Sequence, residues 1–499
     1  MTPEGGSREG GRPRLARGPA ICWFRRNLRL DDNPTLDAAL RASGEAVPVF
    51  VLDDFYLEDD FSPPRLAFLA GSLRDLANAL EAKGSRLVVR RGPAGEALAA
   101  LSRETGADAV FVPSDHEPHA RALDAEVRAA LAREGARLHL VDDLLLVPPT
   151  ALRTGTGKPY TVFTPYSRRW LEADKAAPLA EPGEVPTPRA VLDPSFPSVP
   201  LEKPRGLRIS GPPGTPRGGA AEGRRRWDLF RAESLERYAG LRDLPAQEGT
   251  SRLSPHLRFG TLGVRRLLSE SRDVWKRSGA PGKASVETFV RELAWREFYA
   301  GVLDAFPRTA TEDFRAGLER FPWVSGEEKA RRLSAWCEGR TGYPVVDAGI
   351  RQLLHEGWMH NRVRMIVASF LTKDLLVHWR EGERFFRAHL ADGDLASNVG
   401  GWQWSAGTGT DSQPFFRIFN PVSQGERFDP EGAYVKRWVP ELARWKGPGS
   451  PHTPWLSASL PAGYPSPIVD HAAARAHALA AFAALTAFTA ARPGGKGAG

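Results

Sequence analysis

Five short apolar runs alternate with amphipathic helical patterns in the first third of the chain. The runs are AICWF (20–24), VPVFVLD (47–53), RLVVR (86–90), AVFVPS (109–114) and RLHLVDD (137–143). Because they lack the alternation of one-sided strands, they fit strands that are buried on both faces. The intervening helices then require right-handed parallel crossovers. The pattern predicts an α/β doubly wound parallel-sheet domain over residues 19–150, a fold that binds ligands beyond the carboxyl ends of its strands.

The composition changes after this domain. Residues 151–225 become rich in Pro and Gly, as in SGPPGTPRGG, which predicts an extended interdomain linker. Over residues 226–492 the strand patterns disappear and helical periodicity dominates, so we predict a large all-α domain. Residues 1–18, rich in Gly and Arg, and the short segment 493–499 are expected to be disordered tails.

Charge and cysteine content narrow the functional classes. The 499 residues include 68 Lys and Arg against 60 Asp and Glu, and the net charge of +8 suits a polyanionic partner. The two cysteines, Cys22 and Cys337, exclude a disulfide framework and indicate a reducing, cytoplasmic setting. The apolar stretch 476–491 is shorter than the roughly 20 residues of a membrane span, so no membrane association is expected. His355 and His360 lie five residues apart instead of the four of a zinc-binding helix, so no metal site is expected.

Tryptophan is concentrated in the predicted helical domain. Twelve of the 14 Trp residues lie beyond residue 226, at positions 227, 275, 295, 323, 336, 358, 379, 402, 404, 438, 445 and 455. A single Trp is more often a core residue than a cofactor contact. A dozen in one domain still makes base stacking or electron transfer a specific hypothesis.

Long sequence motifs carry a resemblance to a known family. They are WFRRNLRLDDNPTL (23–36), GTSRLSPHL (249–257), ELAWREFY (292–299), GWMHNRVRM (357–365) and DGDLASNVGGWQWSAGTGTDSQPFFRIFNP (392–421). These motifs closely resemble the photolyase/cryptochrome family, and class I cyclobutane pyrimidine dimer photolyases most of all. The resemblance extends over nearly the whole chain.

The resemblance implies a fold and an activity. It implies an N-terminal α/β antenna domain, a linker and a helical catalytic domain that binds FAD. The implied enzyme is a light-dependent carbon–carbon lyase that uses reduced anionic FAD to split pyrimidine dimers in UV-damaged DNA. The alternative is a cryptochrome-type blue-light photoreceptor, whose expected mark is a long C-terminal extension instead of the PGGKGAG found after Arg492. A plain nucleotide-binding electron carrier would explain the first domain only.

The resemblance also implies a set of FAD contacts. The matching positions are Tyr238, Thr250, Ser251, Leu253, Ser254, Glu292, Arg296, Trp358, Asn361, Arg364, Asp392, Asp394 and Asn398. Hydroxyl and backbone N–H groups at a helix start suit a pyrophosphate, although the same TSRLSPHL segment also fits a simple helix cap. An Arg364–Asp392 pair is expected beside the flavin ring, with Asp394 accepting from flavin N–H groups. Buried charges require pairing in any case, so structural and cofactor roles are both expected here.

Four residues are implied in the redox chemistry of the flavin. Asn398 matches the position near flavin N5, where a neutral amide favours the reduced anionic flavin and therefore repair. Trp402, Trp379 and Trp323 match the family's electron-transfer chain from the flavin to the surface, and easily oxidised indole rings suit stepwise electron transfer.

The implied substrate is a dimer that has been flipped out of the DNA helix. The matching contact positions are Glu292, Trp295, Asn361, Met365 and Trp404. A damaged base pair costs less to flip out, and indole rings offer stacking surfaces for the flipped bases. Neither Asn361 nor Met365 is the His that (6-4) photolyases carry at these positions, which disfavours that activity. Arg362, Arg417 and Gln424 are expected to contact DNA phosphates around the cavity mouth.

An antenna chromophore is implied as well. Glu117 matches a position that contacts a folate in some relatives, while a reduced folate, a deazaflavin and a second flavin all remain open. The family resemblance also implies a monomer.

Overall fold

The computed structural model describes residues 16–57, 61–201, 211–412, 414, 417–445, 450–457 and 459–490. Most of the two predicted tails, residues 1–15 and 493–499, therefore lies outside the described residues. Ala16 and Arg17 are ordered against the first domain, where their backbone N–H groups donate to Ala42 and Asp108.

The N-terminal domain is a five-stranded parallel sheet. Its strands are β1 (Ala20–Phe24), β2 (Ala46–Leu52), β3 (Val88–Arg91), β4 (Ala109–Pro113) and β5 (Arg137–Val141), in the order β3-β2-β1-β4-β5. The helices are α1 (Pro34–Ser43), α2 (Pro63–Glu81), α3 (Ala94–Thr105) and α4 (Pro118–Arg133). Separate apolar clusters cover the two faces of the sheet. The prediction of a doubly wound fold is confirmed, and the strand order reverses between β1 and β4, where such folds bind ligands.

The segment predicted as a linker contains more structure than its composition indicates. It forms α5 (Phe163–Glu172) and α6 (Arg189–Leu192), and parts of its described residues pair with the first domain through hydrogen bonds such as Val199 N–H to the Val89 carbonyl. The sequence analysis missed α5 because the helix is only ten residues long and depends on packing against the second domain. Its Trp170 is fully buried there.

The second domain is helical throughout its described part. Its helices are α7 (Ala220–Glu233), α8 (Tyr238–Leu241), α9 (Ser254–Phe259), α10 (Val264–Arg277), α11 (Ala280–Ala305), α12 (Gly326–Cys337), α13 (Pro344–Glu356), α14 (Asn361–Ser369), α15 (Trp379–His389), α16 (Leu395–Ala406), α17 (Pro421–Phe428), α18 (Ala433–Trp438) and α19 (His471–Ala490). This confirms the predicted all-α domain, although α7 begins six residues before the predicted boundary. The 26-residue α11 packs against α5, α8, α10 and α16, and it carries residues that line a cavity of about 450 Å³.

Candidate flavin and DNA-repair site

One cavity of about 450 Å³ lies between α8, α9, α11, α14 and α16. Its volume is in the range of cofactor sites. It is lined by eleven of the predicted FAD contacts: Tyr238, Ser251, Leu253, Ser254, Glu292, Arg296, Asn361, Arg364, Asp392, Asp394 and Asn398. It is also lined by the predicted substrate contacts Trp295, Met365 and Trp404 and by Trp402. Residues from five helices that are far apart in sequence therefore meet around one space.

The charged residue Asp394 is held by the N-terminal domain. Its Oδ2 accepts from Arg26 at 2.9 Å and lies 3.9 Å from Arg258, while its Oδ1 caps α16 by accepting from Ser397 N–H at 3.0 Å. Burial by itself would raise the pKa of Asp394, but these arginines and Arg296 outweigh it and lower the pKa to about 2. Asp394 is therefore an ionised acceptor at the cavity wall.

The expected pair between Arg364 and Asp392 is present at the same wall. Nη2 of Arg364 donates to Oδ2 of Asp392 at 3.1 Å, and its Nε donates to the Met359 carbonyl at 2.9 Å. The Asp392 residue is 5% exposed. Pairing fixes the guanidinium, whose further N–H groups can donate to a bound ligand.

Glu292 pairs with a residue that the sequence analysis did not identify. Its Oε1 accepts from Nη1 of Arg242 at 2.7 Å, and Tyr238 and Arg242 contact each other one helical turn apart. Burial raises the pKa of Glu292, and the Arg242 charge opposes that rise. The carboxyl group of Glu292 faces the cavity and is held there by the Arg242 guanidinium. Arg242 could have been found from its spacing of four residues after Tyr238.

Asn398 has a second unpredicted partner. Its Nδ2 donates to Oε1 of Glu383 at 2.9 Å and to the Glu383 carbonyl at 3.3 Å. Glu383 is 4% exposed, and burial raises its pKa. This contact fixes the orientation of the amide at the cavity.

The mouth of the cavity is apolar and aromatic. Trp295, Met365 and Trp404 are partly exposed, and Asn361 is exposed. Nδ2 of Asn361 lies 3.9 Å from the Met365 sulfur, one turn along α14. The lining therefore combines a charged part around the buried Asp392 and the ion-paired Asp394, here called the buried end, with an aromatic, partly exposed part, here called the mouth.

Five of the predicted FAD and DNA contacts do not line the cavity. Trp358 is 6% exposed and lies beneath the Arg252 guanidinium at 4.2 Å, so it supports the loop before α9 instead of the cavity. The others are Thr250, Arg362, Arg417 and Gln424. Arg362 donates to Asp243 at 2.8 Å and stacks over Phe428.

Of the three predicted electron-transfer tryptophans, Trp402 lines the cavity, and Trp379 and Trp323 do not. Trp402 is 2% exposed, and its ring packs over Gly382 of α15. Trp379 begins α15 one turn earlier, and its Nε1 donates to Asp313 at 2.6 Å. His378 lies between Trp379 and the partly exposed Trp323, with ring centroids 5.6 and 5.1 Å away.

Glu117, the predicted antenna contact, is paired with arginines. Its carboxylate pairs with Arg258 through both oxygens and with Arg26 at 3.2 Å. The side chain is only 11% exposed. It belongs to the ion-pair network between the two domains, and its contact with an antenna chromophore stays a prediction.

The donors and acceptors at the cavity fit FAD. Asp394 offers an ionised acceptor for flavin N–H groups, and Arg364 offers N–H donors for carbonyl oxygens. Ser251 and Ser254 offer hydroxyl groups suited to a pyrophosphate, and Leu253, Phe289 and Leu293 supply apolar contact surface. A fold with two domains and a flavin-sized cavity of this kind defines a flavin-binding photolyase/cryptochrome architecture.

Comparisons with known proteins identify the family. Residues 20–186 match the model described as DNA photolyase, and residues 289–484 match the FAD binding domain of DNA photolyase. The chain is 43% identical to the deoxyribodipyrimidine photo-lyase of Streptomyces griseus, with 92% of this chain and 97% of that protein covered. It is 40% identical to the enzyme of the same name from a Synechococcus species, with 91% and 94% covered. The chain belongs to the DNA photolyase family and is an FAD-dependent enzyme of light-dependent DNA repair.

Solved structures show the same relationship. A bacterial class III photolyase from Agrobacterium tumefaciens has a TM-score of 0.86 at 36% identity, with 96% of this chain and all of that chain covered. An archaeal photolyase from Sulfolobus tokodaii with two FAD molecules has a TM-score of 0.80 at 33% identity, with 93% and 99% covered. A Synechocystis cryptochrome has a TM-score of 0.82 at 27% identity, with 93% and 98% covered. Assignment to class I stays a prediction.

No helix in the described part of the chain is long and apolar enough to cross a membrane. Within the same residues, no group of three or more His, Cys, Asp or Glu side chains could hold a metal ion. His360 instead caps α14 by accepting from Arg362 N–H.

Proposed function

We propose that this chain repairs cyclobutane pyrimidine dimers in UV-damaged DNA, with FAD at the buried end of the cavity and the flipped-out dimer at its mouth. One observation carries the proposal. The same cavity joins an ion-paired wall suited to flavin N–H and carbonyl groups with an accessible mouth bordered by two tryptophans. A site for a flavin alone would not need the aromatic mouth.

The buried end would hold the flavin through charges that are fixed before it binds. Bound FAD, in its reduced anionic form and excited by light, supplies the electron that splits the dimer. Asp394 accepts from ring N–H groups because Arg26 and Arg258 keep it ionised. Arg364 donates to a ring carbonyl while Asp392 fixes its orientation. Asn398 presents a neutral amide whose orientation is set by Glu383.

The mouth would hold the dimer by stacking and by one carboxyl group. The rings of Trp295 and Trp404 stack on the flipped bases, a contact worth roughly 1–3 kcal/mol per base in single-stranded complexes. Glu292 donates to a thymine carbonyl when protonated or accepts from N3–H when ionised. Its raised pKa favours the first role, and Arg242 stabilises the second.

DNA phosphates would be bound beside the mouth. Arg362 adjoins the exposed Asn361, and Arg417 and Gln424 lie on the neighbouring segment before and within α17. Arg362 already pairs with Asp243, so its contribution to phosphate binding requires exchange of that partner. We expect affinity for damaged DNA to fall steeply with salt because phosphate contacts release counterions.

A repair assay tests this function. Purified protein, loaded with FAD and photoreduced, is mixed with UV-irradiated oligothymidine and illuminated, and the recovery of thymine absorbance is measured. Glu292→Ala should abolish most of the recovery, whereas Glu287→Ala, on the side of α11 that faces away from the cavity, should retain it. Flavin binding without any thymine recovery in the unmodified protein would favour the photoreceptor function. An affinity for damaged DNA that does not change with salt concentration would exclude the phosphate contacts.

A second chromophore is part of the proposal. A photolyase at 33% identity holds two FAD molecules, which supports an antenna cofactor in this chain. A reduced folate, a deazaflavin or a flavin would each be identified from the absorption spectrum of the purified protein.

A further inference from the structure

Trp295 is stacked on an aromatic side chain from the interdomain segment. The ring centroids of Phe163 and Trp295 are 3.7 Å apart, with an angle of 9° between the ring planes. Phe163 is the first residue of α5 and is 8% exposed. Trp295, by contrast, is partly exposed and lines the cavity mouth. One face of the indole is therefore covered, and its remaining surface borders the mouth.

The helix that presents Phe163 is firmly attached to α11. Trp170, seven residues later, is fully buried, and its Nε1 donates to Oε2 of Glu297 at 2.6 Å. The Glu297 carboxylate also accepts from the backbone N–H groups of Leu146 and Val147. Glu297 follows Trp295 by two residues on α11. Phe163 at the start of α5 therefore contacts Trp295, and Trp170 near its end contacts Glu297. These two contacts with α11 hold Phe163 against the indole.

Further residues pack against Trp295 and Phe163 and leave the cavity side of the indole open. The Tyr299 ring lies 5.4 Å from Trp295, and it packs so closely on Gly400 of α16 that a Cβ there would come within 2.3 Å of the ring. The Asp411 carboxyl group interacts with the backbone N–H of Phe163. Asp411 lies on the loop that follows Trp404, the other tryptophan of the mouth. Phe163 therefore contacts both Trp295 and, through Asp411, the loop that follows Trp404.

We propose that Phe163 is a positioning residue for damage recognition: its ring holds the Trp295 indole in the orientation that stacks on a flipped-out dimer. This rests on the proposed function, in which Trp295 contacts the dimer. An indole that is already fixed loses no rotamer freedom when the base arrives, and such preorganisation increases affinity. Because the proposed function has only the flipped-out dimer enter the cavity, the affinity for undamaged DNA should be independent of this stack. Phe163 thereby contributes to the preference for damaged over undamaged DNA.

The test compares affinities for two DNA duplexes of the same sequence, one with a single thymine dimer. Phe163→Leu removes the stacked ring, while Phe163→Tyr keeps it. We expect Phe163→Leu to weaken binding of the damaged duplex about 3- to 10-fold, in line with aromatic-pair energies, and to leave the undamaged duplex unchanged. Phe163→Tyr should retain the selectivity of the unmodified protein. Leu171→Ala, at an exposed position of the same helix, is the matched control and should change neither affinity.

The double variant Phe163→Leu/Trp295→Ala shows whether the effect passes through Trp295. It should bind damaged DNA no more weakly than Trp295→Ala alone. An equal loss for both duplexes, an unchanged selectivity in Phe163→Leu, or a further loss in the double variant would each overturn the proposal. If Phe163→Leu folds poorly, Phe163→Met provides the same comparison with an unbranched side chain. A Trp295→Ala variant with full affinity for the dimer would instead contradict the proposed function, since Trp295 would then not contact the substrate.

Discussion

The amide of Asn398 donates a hydrogen bond of 2.9 Å to the buried carboxyl group of Glu383. The two residues lie on different helices, α16 and α15, and only Asn398 lines the cavity. A carboxylate oxygen can only accept hydrogen bonds, so the amide of Asn398 has one favoured orientation, with its NH₂ group toward Glu383. Glu383 thereby determines which atoms Asn398 presents to the flavin.

Replacing Glu383 by Gln should change the reactivity of the flavin, although Glu383 does not line the cavity. A Gln side chain can present either its oxygen or its NH₂ group, so the orientation of Asn398 is no longer unique. We expect reoxidation of the reduced flavin in the dark to be about 5-fold faster, corresponding to a hydrogen bond worth about 1 kcal/mol. Absorbance of the photoreduced protein measures this rate. Glu381→Gln on the same helix, whose partners are Lys329 and Arg384, is the control and should leave the rate unchanged.

Asn398→Asp should change the flavin more than Glu383→Gln does. It places a second carboxyl group beside Glu383, and two carboxyl groups in contact share a proton, since both cannot ionise at low cost. A proton is then available next to the flavin ring, and illumination should give a flavin spectrum different from that of the unmodified protein. Adding Glu383→Gln supplies an N–H donor in place of the shared proton, so the double variant should restore the original spectrum. An unchanged spectrum in the single variant would contradict this.

The lowered pKa of Asp394 predicts that the free energy of unfolding decreases in acid. Its pKa is lowered from 3.8 to about 2, so its stabilising contribution is fully present well above pH 3.8, and it is lost as the pH falls toward 2. The contribution should decrease by about 1 kcal/mol between pH 6 and pH 3. Urea unfolding at several pH values measures the slope. In Asp394→Asn the slope over this interval should be shallower, whereas Asp273→Asn, at an exposed surface pair, should not change it.

The sequence could predict the fold because its two periodicities are strong and local. The apolar runs at 20–24 and 109–114 became neighbouring strands of a parallel sheet, as their lack of alternation indicated. The same reasoning failed for α5, whose helix depends on burial of Phe163 and Trp170 against another domain. Tertiary packing of this kind leaves little trace in a ten-residue window.

The motifs identified most residues of the cavity but not the pairs that control them. Glu383 and Asn398 are 15 residues apart, Arg242 and Glu292 are 50 apart, and Arg26 and Asp394 are 368 apart. No periodicity connects such positions, since each pair forms only when separate elements meet. The residues that set charge and orientation in the site therefore required the structure.

Gly382 should be intolerant of any side chain. A Cβ at this position would lie 2.0 Å from the Trp402 ring, so Gly382→Ala must displace the indole that lines the cavity. We expect a loss of about 1–3 kcal/mol in the free energy of unfolding, typical of overpacked cores. Gly301→Ala on α11 meets no atom closer than 4.0 Å and should instead stabilise the protein by about 0.5–1 kcal/mol. Equal effects of the two substitutions in urea unfolding would disprove this account.

Trp402→Phe tests the proposed electron path. Trp402 lines the cavity, and α15 connects it through Gly382 to Trp379. A phenyl ring is much harder to oxidise than indole, so the variant should lose nearly all photoreduction of oxidised flavin. It should still repair dimers when the flavin is reduced chemically, because repair needs no electron from the protein. Loss of both activities would show that Trp402 serves the cofactor site itself and would exclude a role limited to electron supply.

The outer part of the path has two possible continuations from Trp402. Trp379 leads through His378 to Trp323, while the fully buried Trp336 has its ring centroid 6.0 Å from Trp402. An electron supplied by an external donor must come from the side where the path reaches solvent, and Trp323 is partly exposed. We therefore expect Trp379→Phe and Trp323→Phe to slow photoreduction strongly and Trp336→Phe to slow it little. Transient absorption of the oxidised protein would distinguish them, and a strong effect of Trp336→Phe alone would reassign the path.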